Sequence, residues 1–142
     1  MLTPGTILTS ATGDWREVFC VTQLEIRSVS DVVIGGSGSA PSPQTITARM
    51  LTQGEVYESA VVRIDGPLRI AAVDLQLKLV TVESSDGVLF SIADTFGAFQ
   101  NRFPTVGNRP YRQVTGVVRF FRGQTPSESN YFLAPRTPSD IF

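Results

Sequence analysis

Alternation with a period of two, cut at short intervals by glycine and proline, is the feature that most limits how this chain can fold. β-Branched residues are dense and strong helix formers sparse, so the segments between breakers predict strands. The stretches "TILTSA" and "REVFCVTQLEI" predict a hairpin across Thr12, Gly13 and Asp14. "TITARML" predicts a further strand, and residues 59–82 a long extended run bent at Asp65-Gly66-Pro67, with Leu75, Leu77 and Leu79 facing inward. "SDG" at 85–87 is a tight-turn signal before "VLFSIAD". The last pair, "RQVTGVVRFFRG" and "NYFLAPR", is joined by the polar loop "QTPSES". Only "TFGAFQ" offers a helical turn.

Composition then narrows the function. With 142 residues, 42% of them hydrophobic and 18% charged, the chain can bury a core as one domain, with or without an appendage. A formal net charge of −1 provides no overall field to attract nucleic acid or an anionic membrane. The charge is uneven, however: residues 101–142 carry six arginines against Glu128 and Asp140. No histidine is present and Cys20 stands alone, which excludes an intrachain disulfide, Cys- or His-based metal sites, and triads or pairs built on histidine. Cys20, between Phe19 and Val21, is expected as a core thiol. Of the carboxylates, Glu55 with Glu58 and Asp86 with Asp94 are the close candidates, and capping or solvating turns is the commoner role of such groups. The chain is therefore expected to be non-catalytic and to need no cofactor. No apolar run approaches the ~20 residues of a membrane helix, and "MLTPGTILTS" lacks an export signal.

Residues 34–43, "IGGSGSAPSP", predict a flexible connection; a phosphate-cradling loop would need a following helix and usually a lysine. The expected organisation is all-β: a β-hairpin extension at 1–33, a Gly/Ser/Pro-rich linker with a possible strand at 34–56, and a small OB-like Greek-key barrel at 57–142. An internal echo crosses these boundaries. "TQLEIRSVSDVV" and the terminal "YFLAPRTPSDIF" share an arginine, a Ser-Asp step and a following β-branched residue.

The stretch "YESAVVRIDGPLRI" resembles the opening of an OB-fold domain found in bacterial extracellular nucleases of the endonuclease/exonuclease/phosphatase type. "VTGVVRFF…YFLAPRTPSDI" is similar to that domain's close, and "PGTILTSATGDWREVFCVTQLEI" to the element that ends one such unit before the next. The chain departs from the pattern at Ser59-Ala60, where Gly-Met or Gly-Leu is usual, and at Ala11, where glycine is common. The resemblance implies a secreted or surface protein and an accessory domain that binds nucleic acid, with any catalytic machinery elsewhere. It also implies that residues 1–33 correspond to the end of one unit and residues 57–142 to a complete one. An orphan hairpin exposes edges and an apolar face, so it needs cover, from its own barrel or from another copy by strand addition.

OB-type barrels hold single strands by stacking bases on aromatics and tracking phosphates with cations. Arg119 and Phe121 alternate with Val118 and Phe120 and so share an outer face, with Tyr131 across the final hairpin. Arg63 and Lys78 fall at outward positions. The loop 94–112 adds Arg102, Arg109, Arg112 and Tyr111, beside Phe103. These nine cations and aromatics are the candidate contacts for single-stranded nucleic acid. The alternative is a structural or assembly module that self-associates through its N-terminal hairpin.

Overall fold

The computed structural model describes residues 5–18, 21–53, 55–121 and 130–142. The expectations for Cys20 and for the loop at 124–129 lie outside the described residues. Two compact units divide at Ser42/Pro43.

The second unit is a closed five-stranded β-barrel. After the short strand β5 (Gln44–Thr45) and helix α1 (Ala48–Thr52) come β6 (Val61–Asp74), β7 (Leu79–Glu83), β8 (Leu89–Ala93), β9 (Tyr111–Phe121) and β10 (Asn130–Ala134). The hydrogen-bonded order is β6-β7-β8-β10-β9, and β9 pairs again with β6 to close the ring; β5 adds in parallel outside it. All these barrel pairings are antiparallel except β8 with β10. This is the OB-like Greek-key barrel expected from the strand pattern. Closure removes sheet edges.

Alternation produces the core directly. Val62, Ile64, Val80, Val82, Val118 and Leu133 are all sealed inside. Strand β6 is long enough to serve two neighbours because it bends at Gly66, where an added side chain would meet the carbonyls of Tyr111 and Arg112. Helix α1 replaces the strand expected at "TITARML". Thr47 caps it, its Oγ1 accepting from the Met50 amide at 3.2 Å, and Leu51 seals it against the core. Ala-Arg-Met-Leu are good helix formers, and three β-branched or Thr residues before them obscured that. "TFGAFQ" forms turns rather than a helix. Asp94 is buried there and accepts from the Phe99 amide at 3.0 Å, and Phe99 stacks on Phe103 with ring centres 5.0 Å apart.

Leu79, which opens β7 on the side opposite the buried Val80 and Val82, is not a core residue, and neither are Leu75 and Leu77. The last two stand exposed in the β6–β7 turn, which Asp74 ties together by accepting from the amides of Gln76 and Leu77, both at 2.9 Å. The alternation simply runs on through a turn.

The first unit is a ribbon. Strand β1 (Thr6–Ala11) pairs with β4 (Val32–Ser37), and β2 (Asp14–Val18) with β3 (Val21–Glu25), all antiparallel. The expected turn at 12–14 does not form. The chain runs straight through it, with the Thr12 amide donating to the Asp31 carbonyl at 2.8 Å. Gly13 is needed for a different reason: a Cβ there would meet the Glu25 carbonyl on the return strand. Residues 34–37, read as part of a flexible connection, belong to β4. The two pairings therefore form one long two-stranded ribbon, whose return strand loops out at 26–31 through a single 3-10 turn, Val29–Asp31.

Candidate functional site

The echo noticed in the sequence is a structural repeat. In the ribbon, Trp15 faces Leu24, Asp14 faces Glu25 and Ala11 faces Val32. In the barrel, Val118 faces Leu133, Val117 faces Ala134 and Val114 bridges Ile141. The two sets correspond residue for residue. Gly116 repeats Gly13, since a Cβ at 116 would lie 2.7 Å from the Ala134 carbonyl. Both return strands loop out through a capped 3-10 turn: Ser28 caps Val29–Asp31, and Thr137 caps Pro138–Asp140, each with an aspartate reaching back to the cap. Asp31 accepts from the Ser28 amide at 2.9 Å, and Asp140 from the Arg136 and Thr137 amides at 2.9 and 3.2 Å. Ser28 with Ser30, and Thr137 with Ser139, share hydroxyl hydrogen bonds of 2.8 Å in each case.

The environments of the two copies differ sharply. Asp140 is buried, and Arg136 grips it with Nε at 3.2 Å and Nη2 at 3.0 Å. Burial alone would raise this carboxyl, but the Arg136 hydrogen bonds and charge outweigh it and hold Asp140 below the usual aspartate range. Val114, Val118 and Leu133 are wholly sealed from solvent. Their counterparts are not: Trp15 is 76% exposed, Ala11 is exposed and Leu24 only half-buried. Among the described residues of the ribbon no side chain is buried. Sequence reasoning missed Trp15 because it was read as one strand residue among many. The signal was its alignment with core Val118 once Thr12-Gly13 is set on Thr115-Gly116.

The nine candidate nucleic-acid contacts do not form one surface. Arg63 faces outward from β6 and pairs with Asp65 at 3.1 Å. Lys78 sits in the β6–β7 turn with a left-handed backbone, φ 53°. Arg119 and Phe121 do share the outer face of β9, but Tyr131 is not with them: it lies opposite Phe120, ring centres 4.9 Å apart, on the side that continues the core. Burial, then the Glu58 and Glu55 carboxylates, push the Tyr131 phenol above its ordinary value, so acidic charge stands beside that aromatic pair. Arg102 and Tyr111 do come together, lining a cleft of about 350 Å³ with Phe99 and Ile141. Burial pushes the Tyr111 phenol up to about 12. Arg112 is the second residue of β9, where its amide donates to the Phe142 carbonyl, and Arg109 is exposed in the preceding loop.

The face that OB-type barrels commonly present to single strands is the outer side of the second and third strands. On β7 and β8 that side carries the pairs Leu79–Ala93, Thr81–Ser91 and Glu83–Leu89, with Glu83 neutralised by Arg69. It holds no aromatic ring. Among the described residues no three potential metal-ligating side chains cluster, and no helix is long and apolar enough to cross a membrane. Comparison of the chain with protein-family models, with curated proteins and with solved structures returns no match, and nothing found links it to the nuclease-type domains.

Proposed function

We propose that the chain is a non-catalytic assembly module: a barrel that carries an N-terminal ribbon whose role is to dock onto another polypeptide, a second copy of the chain included. The observation behind this reading is the ribbon itself. An isolated two-stranded ribbon is at best marginally stable in water. This one buries no described side chain, while Ile7, Trp15, Val29, Val33 and Ile34 are each close to half exposed or more. Among the described residues no third strand pairs with either edge of this ribbon. Trp15, the single tryptophan, reports on the ribbon directly. Sedimentation of the full chain over a hundredfold concentration range, with iodide quenching of Trp15, tests the proposal. A mass above the monomer with Trp15 shielded supports it, as does a monomer with Trp15 open. A monomer in which Trp15 is already shielded refutes it, because the ribbon then has no face left to offer.

A second reading, an accessory module for single-stranded nucleic acid, draws on the Arg102–Tyr111 cleft, with Arg109 and Arg112 beside it in the chain. Titration of a fluorescent single-stranded DNA at two salt concentrations tests it. Binding that weakens steeply with salt supports it, and no binding at low salt sinks it.

A further inference from the structure

The repeat also says what kind of partner the ribbon fits. We infer that the ribbon is the closing half of an OB-type barrel, completed by a three-stranded antiparallel meander with the chemistry of residues 61–93. The inference rests on the assembly reading above and specifies its partner.

The barrel of this same chain shows how such a ribbon is covered. Strand β6 runs antiparallel along the outer edge of β9, from Val61 opposite Val117 to Leu68 opposite Tyr111. Strand β8 runs parallel along the outer edge of β10, with Phe132 opposite Ser91. Strand β7 joins them, so one β6-β7-β8 meander satisfies both edges and seals Val114, Val118 and Leu133 in a single step. The N-terminal ribbon presents the same two edges, on β1–β2 and on β3, and the same inward register, with Ala11, Trp15 and Leu24 at those three positions. The changes in volume run in opposite directions. Trp15 is larger than Val118, Ala11 is smaller than Val114, and Leu24 equals Leu133. An apolar face is thus kept in register, with one position enlarged and another reduced. Gly13 is kept too, where close approach to the return strand demands it. A ribbon that only needed solubility would have no reason to keep an inward tryptophan, that glycine and the capped loop-out in register.

The partner is therefore a meander with one β-branched, apolar face and two edges spaced to meet β1–β2 antiparallel and β3 parallel. Its chemistry is that of residues 61–93 of this chain, and a synthetic peptide of that sequence is the natural probe. The peptide is added to the full-length chain while Trp15 emission and iodide quenching are read. We expect a blue shift saturating at one peptide per chain, with quenching reduced at least fivefold. Trp15→Ser, which leaves the barrel untouched, should weaken binding at least tenfold when measured with a dye-labelled peptide. A peptide of residues 111–142, the twin of the ribbon, should cause no shift.

An absent shift with the 61–93 peptide at 100 μM overturns the inference, as does an equal shift with the 111–142 peptide, which would mean edge pairing without barrel completion. The two proposals fail differently. If the chain self-associates with Trp15 shielded and the 61–93 peptide does not compete, the assembly reading stands and the meander falls. A monomer with Trp15 shielded removes both.

Discussion

Replacing Asp140 by asparagine separates the two copies of the capped loop-out by their energetics. In the barrel copy, Oδ2 of Asp140 accepts from the Arg136 amide, Arg136 Nε and the Thr137 amide, while Oδ1 accepts from Arg136 Nη2. Asparagine has one acceptor oxygen. Turned to keep the two backbone amides, it points its NH2 at the Arg136 guanidinium and loses the charge that guanidinium faces. A hydrogen bond to a charged group contributes about 1.5–3 kcal/mol, and Arg136 is partly open to solvent, which discounts the ion pair. We therefore expect Asp140→Asn to cost about 2 kcal/mol. For a barrel of this size that lowers Tm by roughly 8–16 °C at pH 7. Asp31→Asn, in the solvent-open copy where no arginine grips the carboxylate, should leave the barrel transition unmoved. The pH dependence has a definite sign. Asp140 has its folded pKa depressed, so its contribution is complete above the ordinary aspartate value near 4 and is lost as pH falls through the lower folded value. The gap between native and Asp140→Asn chains should therefore close as pH drops below about 4. Thermal melts followed by far-UV circular dichroism at pH 7 and across pH 2–5 are the assay. A Tm within 2 °C of the native value at pH 7, or a gap that widens in acid, would refute the reasoning.

Three further outcomes follow from the same geometry. Gly116→Ala should destabilise the barrel by about 1–3 kcal/mol, because its Cβ meets the Ala134 carbonyl carbon and oxygen at 2.7 Å, whereas Gly13→Ala should leave the barrel melt unchanged; calorimetry distinguishes them. Lys78→Gly relieves a left-handed backbone that costs a side-chain-bearing residue roughly 1 kcal/mol, partly offset by unfolded-chain entropy, so urea unfolding should show a gain of about 0.5 kcal/mol. Absorbance titration at 295 nm, with Tyr111→Phe as the difference, should find Tyr111 ionising near 12; because Tyr111 is raised in the folded state, its contribution to stability is full below pH 10 and lost as pH climbs through 12.

The barrel was legible in the sequence because inside and outside alternate without interruption in "VVRI" and "LVTVE", and a closed β-barrel needs little more than that. What failed to read correctly were places where local chemistry overrode the period. Asp74 folds the chain back between two leucines that continue the alternation, and Thr47 starts a helix where β-branched neighbours suggest a strand. Glycine 13 looked like a turn residue because its actual role, close approach to a strand eleven residues away or more, is invisible without that strand. The candidate cations and aromatics were legible only as outward or inward. Arg119 and Phe121 fell where alternation put them, but Tyr131 belongs to the Phe120 side because the register between β9 and β10 decides its face.

The twin loop-outs leave a signature that overall identity would conceal. Thr-Gly, an arginine three residues after that glycine, a leucine on the return strand, an arginine three further on, then Ser-Asp and a β-branched residue occur at Thr12 to Val32 and again at Thr115 to Ile141. The hairpin between the two halves differs in length, while every spacing within each half is the same. The two glycines answer to close approach of the return strand and the two aspartates to a cap, while the residues between them differ. A chain that shares none of the surrounding sequence can thus be recognised as carrying the same closing element by this gapped pattern alone, with the intervening loop left at any length.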